Sequence, residues 1–229
     1  MKDFLKDLFF PRVCLGCGFL GSHICPSCEK KIKKVQKDWC FYCKQPSFLG
    51  LTHPKCQKGG VDGVVTAFYY NDVLKRIVKN IKYRLVREGL KDFFLLIPQE
   101  TYAKLDRYNK LYRDTLLMPI PLSSKRKRQR GFNQSEELVN HIMQFLSFSR
   151  AKNLIKIHDT KSQSQTMSHA ERKKNIKGAF AVEDGEEISG RVIVLVDDVV
   201  TTGATVAEAV RVLKKQGAAK VFVFAIAKG

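Results

Sequence analysis

Five consecutive aliphatic residues, Val192, Ile193, Val194, Leu195 and Val196, run directly into Asp197 and Asp198 and then into Thr201-Thr202-Gly203-Ala204-Thr205. A run with no polar face is a strand buried on both sides, as in a parallel sheet covered by helices. Acids at its end lie at the carboxyl edge of the sheet, where open α/β folds collect their ligands. Adjacent carboxylates accept hydrogen bonds from the vicinal hydroxyls of a sugar and offer oxygens to Mg²⁺. The threonine-rich turn opens the next helix, so its amides and hydroxyls form a cradle for a monophosphate. Gly203 lets backbone approach that phosphate closely. The run therefore implies a site for a phosphorylated ribose.

Strand and helix signals alternate through the rest of the chain after about Gly60. Residues 64–70, 116–120, 180–182 and 221–226 read as strands. Leu74, Ile77, Val78, Ile81 and Leu85 recur at helical spacing, and residues 93–105, 135–148 and 205–215 are expected helices. Residues 121–130 read as a basic loop and 158–170 as a mobile, polar one. The alternation implies an α/β domain over residues 61–229, behind a smaller module at 1–60.

That module holds all seven cysteines. Cys14 and Cys17, Cys25 and Cys28, and Cys40 and Cys43 are three Cys-x-x-Cys pairs, and His53-x-x-Cys56 is a fourth pair. This spacing forms knuckles that aim two ligands at one tetrahedral ion. The simplest assignment is sequential: Cys14, Cys17, Cys25 and Cys28, then Cys40, Cys43, His53 and Cys56; crossed pairing satisfies the spacing equally. Four protein ligands leave no open position, so Zn²⁺ here is expected to be structural.

Charge sets the third constraint. Forty-one Lys and Arg against 22 Asp and Glu leave a formal charge of +19, which favours phosphate-rich partners. One cluster surrounds Lys79 and Lys82; another is Lys125, Arg126, Lys127, Arg128 and Arg130. The latter group suits a pyrophosphate, a nucleic-acid strand or plain solvent exposure. Lys30 to Lys37, beside Trp39, Phe41 and Tyr42, match the cation-and-ring pairing that single strands need, although those rings equally suit the module's core. No apolar run reaches the ~18 residues of a membrane span, and the start lacks a secretory signal. The expected location is cytoplasmic, extending to the inner face of the membrane.

Residues 192–205 resemble the phosphoribosyl-pyrophosphate (PRPP) motif of type I phosphoribosyltransferases. Met118-Pro119-Ile120-Pro121-Leu122, Arg130-Gly131-Phe132-Asn133-Gln134, Glu171-Arg172, Asn175 and Gly178-Ala179-Phe180 are similar to the ComF/GntX branch, as is the leading cysteine module. The resemblance implies a type I phosphoribosyltransferase fold behind a double zinc ribbon. By that resemblance Asp197 and Asp198 bind the ribose, Thr201, Thr202, Gly203, Ala204 and Thr205 the 5-phosphate, and Lys125 and Arg126 the pyrophosphate, with Mg²⁺. It further implies handling of incoming single-stranded DNA in natural transformation, alongside other DNA-uptake or recombination proteins. DNA contacts are expected at Lys79, Lys82, Lys125, Arg126, Lys127, Arg128 and Arg130. No base for an acceptor is evident, so transfer of ribose 5-phosphate to an acceptor stands as the alternative.

Overall fold

The structure, a computed structural model, describes residues 11–84, 87–159 and 168–229. A cysteine-bearing segment containing the helical turn α1 (Pro26–Glu29) comes first. Then follow β1 (Gly63–Tyr69), α2 (Asp72–Arg84), α3 (Arg87–Leu95), α4 (Gln99–Leu111), β2 (Leu116–Pro119), α5 (Ser124–Arg130) and α6 (Gln134–Ile142). The chain ends with β3 (Ser149–Arg150), β4 (Leu154–Lys156), α7 (His169–Ile176), β5 (Phe180–Val182), β6 (Val192–Val200), α8 (Ala204–Lys215) and β7 (Lys220–Lys228).

Among the described residues a five-stranded sheet runs in the order β1-β7-β6-β2-β3, and every neighbouring pair is parallel. Its central strands are those with no polar face. β7 is buried from Val221 to Ala227, and Ile193 to Val196 of β6 are inaccessible to solvent. Alternate side chains feed two cores. Val65, Phe68, Phe222 and Phe224 face α2, α3, α4 and α6, whereas Val64, Ile193, Leu195 and Val223 face α8. β4 and β5 form a separate two-stranded antiparallel sheet, with Lys156 opposite Phe180.

The cysteine segment contributes to both cores. Cys14, Leu15, Cys25 and Cys28 join the α2 side, and Trp39 and Phe41 the α8 side. Val35 donates to Ala67 and Tyr69 to Lys33 through the backbone, at 2.8 and 2.9 Å, so residues 33–35 extend the edge of β1. Asn80 and Arg76 of α2 donate to the carbonyls of Leu15 and Gly16.

Several expected elements differ. The basic stretch is a helix: Ser123 caps α5 by accepting from the Arg126 amide, and Gly131 ends it at φ 68°. It buries no side chain, so apolar periodicity gave no sign of it, and only its cap and stop did. Residues 93–105 are two helices, because Pro98 has no amide to donate and instead stands at the N-cap of α4. The expected helix at 135–148 ends at Ile142, and Phe148 turns back into the core before β3. Residues 168–170 begin α7 through a Ser168–Glu171 capping box. Leu85, residues 1–10 and residues 160–167 lie outside the described residues.

Candidate phosphoribosyl site and metal clusters

β6 ends the buried part of its run at Val196, in register with Phe224, and Asp197 and Asp198 follow at the sheet's carboxyl edge. Each acid is held by local backbone: Asp197 Oδ1 accepts from the Asp198 amide (2.9 Å) and Asp198 Oδ1 from the Val199 amide (2.8 Å). The second oxygen of Asp198 pairs with Lys82 Nζ from α2. Burial, then the neighbouring Asp198 charge, pushes the Asp197 carboxyl up to about 7.

These acids open onto a cleft of about 700 Å³. α2 supplies Lys75, Lys79 and Lys82, α5 supplies Arg126 and Arg130, β4 supplies Lys156, and α7 supplies Arg172. Among the described residues, seven cationic side chains thus face two acids, an arrangement suited to a ligand carrying several phosphate charges. Burial, then repulsion from Arg126, brings Lys156 down to about 8. Tyr70 also lines the cleft, and burial raises its phenol.

Of the residues expected to bind PRPP, Asp197, Asp198, Arg126, Thr201 and Thr205 line the cleft. Thr202, Gly203 and Ala204 form the turn behind it. Gly203 is the N-cap of α8 at φ 75°, and a Cβ there would fall 2.6 Å from Phe41 Cζ. The glycine is therefore required by its left-handed conformation and by a ring packed against it, reasons the sequence did not show. Arg126 and Arg130, four residues apart, face the cleft, whereas Lys125, Lys127 and Arg128 are exposed on the outer side of α5. Lys125 is thus separated from the pocket, and Lys127 pairs with Glu136 at 3.3 Å. Lys79 and Lys82, expected at a DNA surface, belong to the cleft. Lys156 carried no sequence signal, because a three-residue strand is too short to show a period.

The cysteines gather in sequential groups. The ligand atoms of Cys14, Cys17, Cys25 and Cys28 lie within 4.8 Å of one another, as do those of Cys40, Cys43, His53 and Cys56. The crossed alternative is not adopted. Gly16 is needed between the first pair, since a Cβ there would meet Cys28 Sγ at 2.7 Å. The donor chemistry fits zinc. Burial opposes a thiolate at Cys14, yet amides of Cys25, Gly16 and Cys17 outweigh it and bring the thiol down to about 6. Burial and neighbouring sulfurs push Cys28 up to about 12, the conflict of a crowded thiol set that a cation resolves. In the second group His53 Nε2 lies 3.1 Å from the Pro46 carbonyl, which can only accept. That leaves Nδ1, 3.3 Å from Cys43 Sγ, as the free lone pair a metal needs. Both groups could hold zinc ions. His23 stands outside them, bonded to Asp92 at 2.8 Å.

Trp39 and Phe41, candidates for stacking on bases, are 4% and 6% exposed and belong to the core. Phe19, Phe48 and Tyr69 are exposed rings. Among the described residues no helix is long and apolar enough to cross a membrane.

The signature of the phosphoribosyl transferase domain matches residues 129–228, the stretch from α5 to β7 that carries the acids and the loop. Competence protein F of Haemophilus influenzae is 25% identical over 96% of this chain and 98% of its own. DNA utilization protein YhgH of Escherichia coli is 29% identical over 95% of this chain and 94% of its own. Competence protein ComFC of Bacillus subtilis is 26% identical over 86% and 80%. With a phosphoribosyltransferase fold behind two cysteine clusters, and relatives of these names along nearly its whole length, the chain is similar to the ComF/ComFC-like proteins.

Proposed function

We propose that the cleft binds PRPP together with Mg²⁺, and that the protein uses this site and its basic surfaces to handle single-stranded DNA entering the cell in natural transformation. One observation carries the reading: two adjacent acids stand at the carboxyl edge of β6, beside a helix-opening loop and within a ring of cations. Asp197 and Asp198 accept the ribose hydroxyls and offer oxygens to Mg²⁺. The first-turn amides of α8 have no intrahelical acceptor, and with Thr201 and Thr205 they take the 5-phosphate. Arg126 and Arg130 take the pyrophosphate, since planar guanidinium groups match phosphate oxygens in pairs. Lys82 leaves Asp198 for a phosphate when the ligand arrives.

The role in DNA uptake is supported by the names of the relatives and by charge placed outside the cleft. Lys125, Lys127 and Arg128 on α5, and the exposed Lys30, Lys31, Lys33, Lys34 and Lys37, offer a route for a phosphate backbone. Zinc in the cysteine clusters is structural. Retention of labelled PRPP by the metal-replete protein, requiring Mg²⁺ and competed by ribose 5-phosphate, tests the first part. No retention contradicts it. Oligonucleotide binding that weakens steeply with salt tests the second, and a flat salt response contradicts it.

Lys156 favours a second reading, in which the site transfers the phosphoribosyl group. A lysine held near pKa 8 inside the cleft has a neutral fraction at physiological pH and can take the proton an acceptor sheds. The C1–O bond to pyrophosphate then breaks as the acceptor's lone pair bonds to C1. Pyrophosphate release across a panel of acceptors, abolished in Lys156→Met, supports this reading; silence with every acceptor removes it.

A further inference from the structure

Phe41 lies between Cys40 and Cys43, so any ion held by the second cluster fixes its backbone from both sides. The knuckle is tight: the Cys40 amide donates to Gln45 O (2.8 Å), the Lys44 amide to Cys40 O (3.0 Å), and Lys44 adopts φ 62°. Lys44 Nζ also donates to Phe41 O at 2.6 Å, and its charge lies 4.9 Å above the Phe41 ring. The ring is 6% exposed and rests on Gly203, with a hypothetical Cβ only 2.6 Å from Cζ and 3.0 Å from Cε2. It therefore touches the backbone of the loop itself, at the residue where the loop turns into α8. The Gly229 amide donates to Val200 O at 2.9 Å, just ahead of the loop. The loop is thus held by the end of β7 as well as touched by the knuckle.

Phe41 also packs on Trp39 and Tyr42, as an ordinary core ring would. A filler, however, meets side chains that can adjust. Gly203 has none, so displacement of the ring passes directly into the loop. We infer that Phe41 is a positioning residue that couples the second cysteine cluster to the phosphate-cradling loop. Metal in that cluster then raises affinity for the phosphoribosyl ligand, and by linkage the ligand tightens the metal. This rests on the PRPP reading of the cleft.

The test uses the full chain with two zinc ions verified by metal analysis. Zinc affinity is measured by equilibrium competition with a chromophoric chelator with and without PRPP and Mg²⁺, and PRPP affinity is measured alongside. The proteins are wild type, Phe41→Leu, and Phe148→Leu, a buried ring in the other core. PRPP is expected to tighten the hold on one ion by about tenfold in wild type and Phe148→Leu. Phe41→Leu is expected to lose that tightening and to bind PRPP about tenfold more weakly while keeping both ions. Equal tightening in Phe41→Leu, none in a wild type that binds PRPP, or a second cluster that takes up no zinc overturns the inference. If wild type binds no PRPP, the reading of the cleft is what fails, and hydrogen exchange without ligand decides the coupling. Cys56→Ser is then expected to speed exchange of the amides at 203–207 by about tenfold, and Cys28→Ser to leave them unchanged. Unchanged exchange in Cys56→Ser overturns the coupling.

Discussion

Gly203→Ala perturbs the loop by the smallest possible addition, and its cost can be worked from two separate terms. The residue sits at φ 75°, where a side chain costs about 1–2 kcal/mol through its clash with the following carbonyl. The new methyl would also fall 2.6 Å from Phe41 Cζ, and relief of such overpacking in a dense core costs about 1–3 kcal/mol. Together they predict a loss of about 2–5 kcal/mol, a large share of the roughly 5–15 kcal/mol that holds a domain together. Urea denaturation at fixed zinc should show the midpoint falling by about 1–2 M. The two terms separate in a double-mutant cycle. Phe41→Leu removes the ring atoms in conflict but leaves the backbone conformation, so Gly203→Ala should cost only about 1–2 kcal/mol in that background. A midpoint shift below about 0.3 M refutes the strain, and strict additivity refutes the contact.

The other predictions concern charge. Asp198→Ala removes the carboxylate proposed to accept the ribose and breaks its pair with Lys82, so PRPP affinity should fall by at least about tenfold while oligonucleotide binding is largely kept; isothermal titration and fluorescence anisotropy check the pair. Asp197 keeps its proton to about 7 in the native state but loses it near 3.8 when unfolded, so the native state binds more protons in between and stability falls as pH rises from about 4 to 7. Asp197→Asn should flatten that decline and leave the variant the more stable protein at pH 8, as read by urea titrations at pH 5 and pH 8. Replacing Lys125, Lys127 and Arg128 by Ala should lower the salt slope of single-strand binding by about 2 with PRPP affinity intact, whereas replacing Arg126 and Arg130 should weaken PRPP.

What was legible in the sequence was local. The buried strand, the two acids and the helix-opening turn occupy one stretch of chain, and each step of that pattern has its own chemistry. The cysteine pairs were legible because two-residue spacing is itself the geometry of a metal knuckle. α5 escaped notice because a helix with no buried side chain has no apolar period. The outward face of Lys125 and the inward face of Arg126 become distinct only once that stretch is helical. Contacts across the chain could not be read at all: Lys82 reaches Asp198 from α2, and Phe41 reaches Gly203 from the far cysteine cluster. The same gap left Trp39 and Phe41 open between a stacking platform and the core; α8 and the sheet bury them.

A crystal structure of the zinc-loaded protein grown with PRPP and Mg²⁺ tests the central claim most directly. The account predicts the 5-phosphate against the amides of residues 201–205, the ribose hydroxyls on Asp197 and Asp198, and Lys82 turned away from Asp198. PRPP bound elsewhere, or an empty cleft with the Lys82–Asp198 pair still closed, would contradict it.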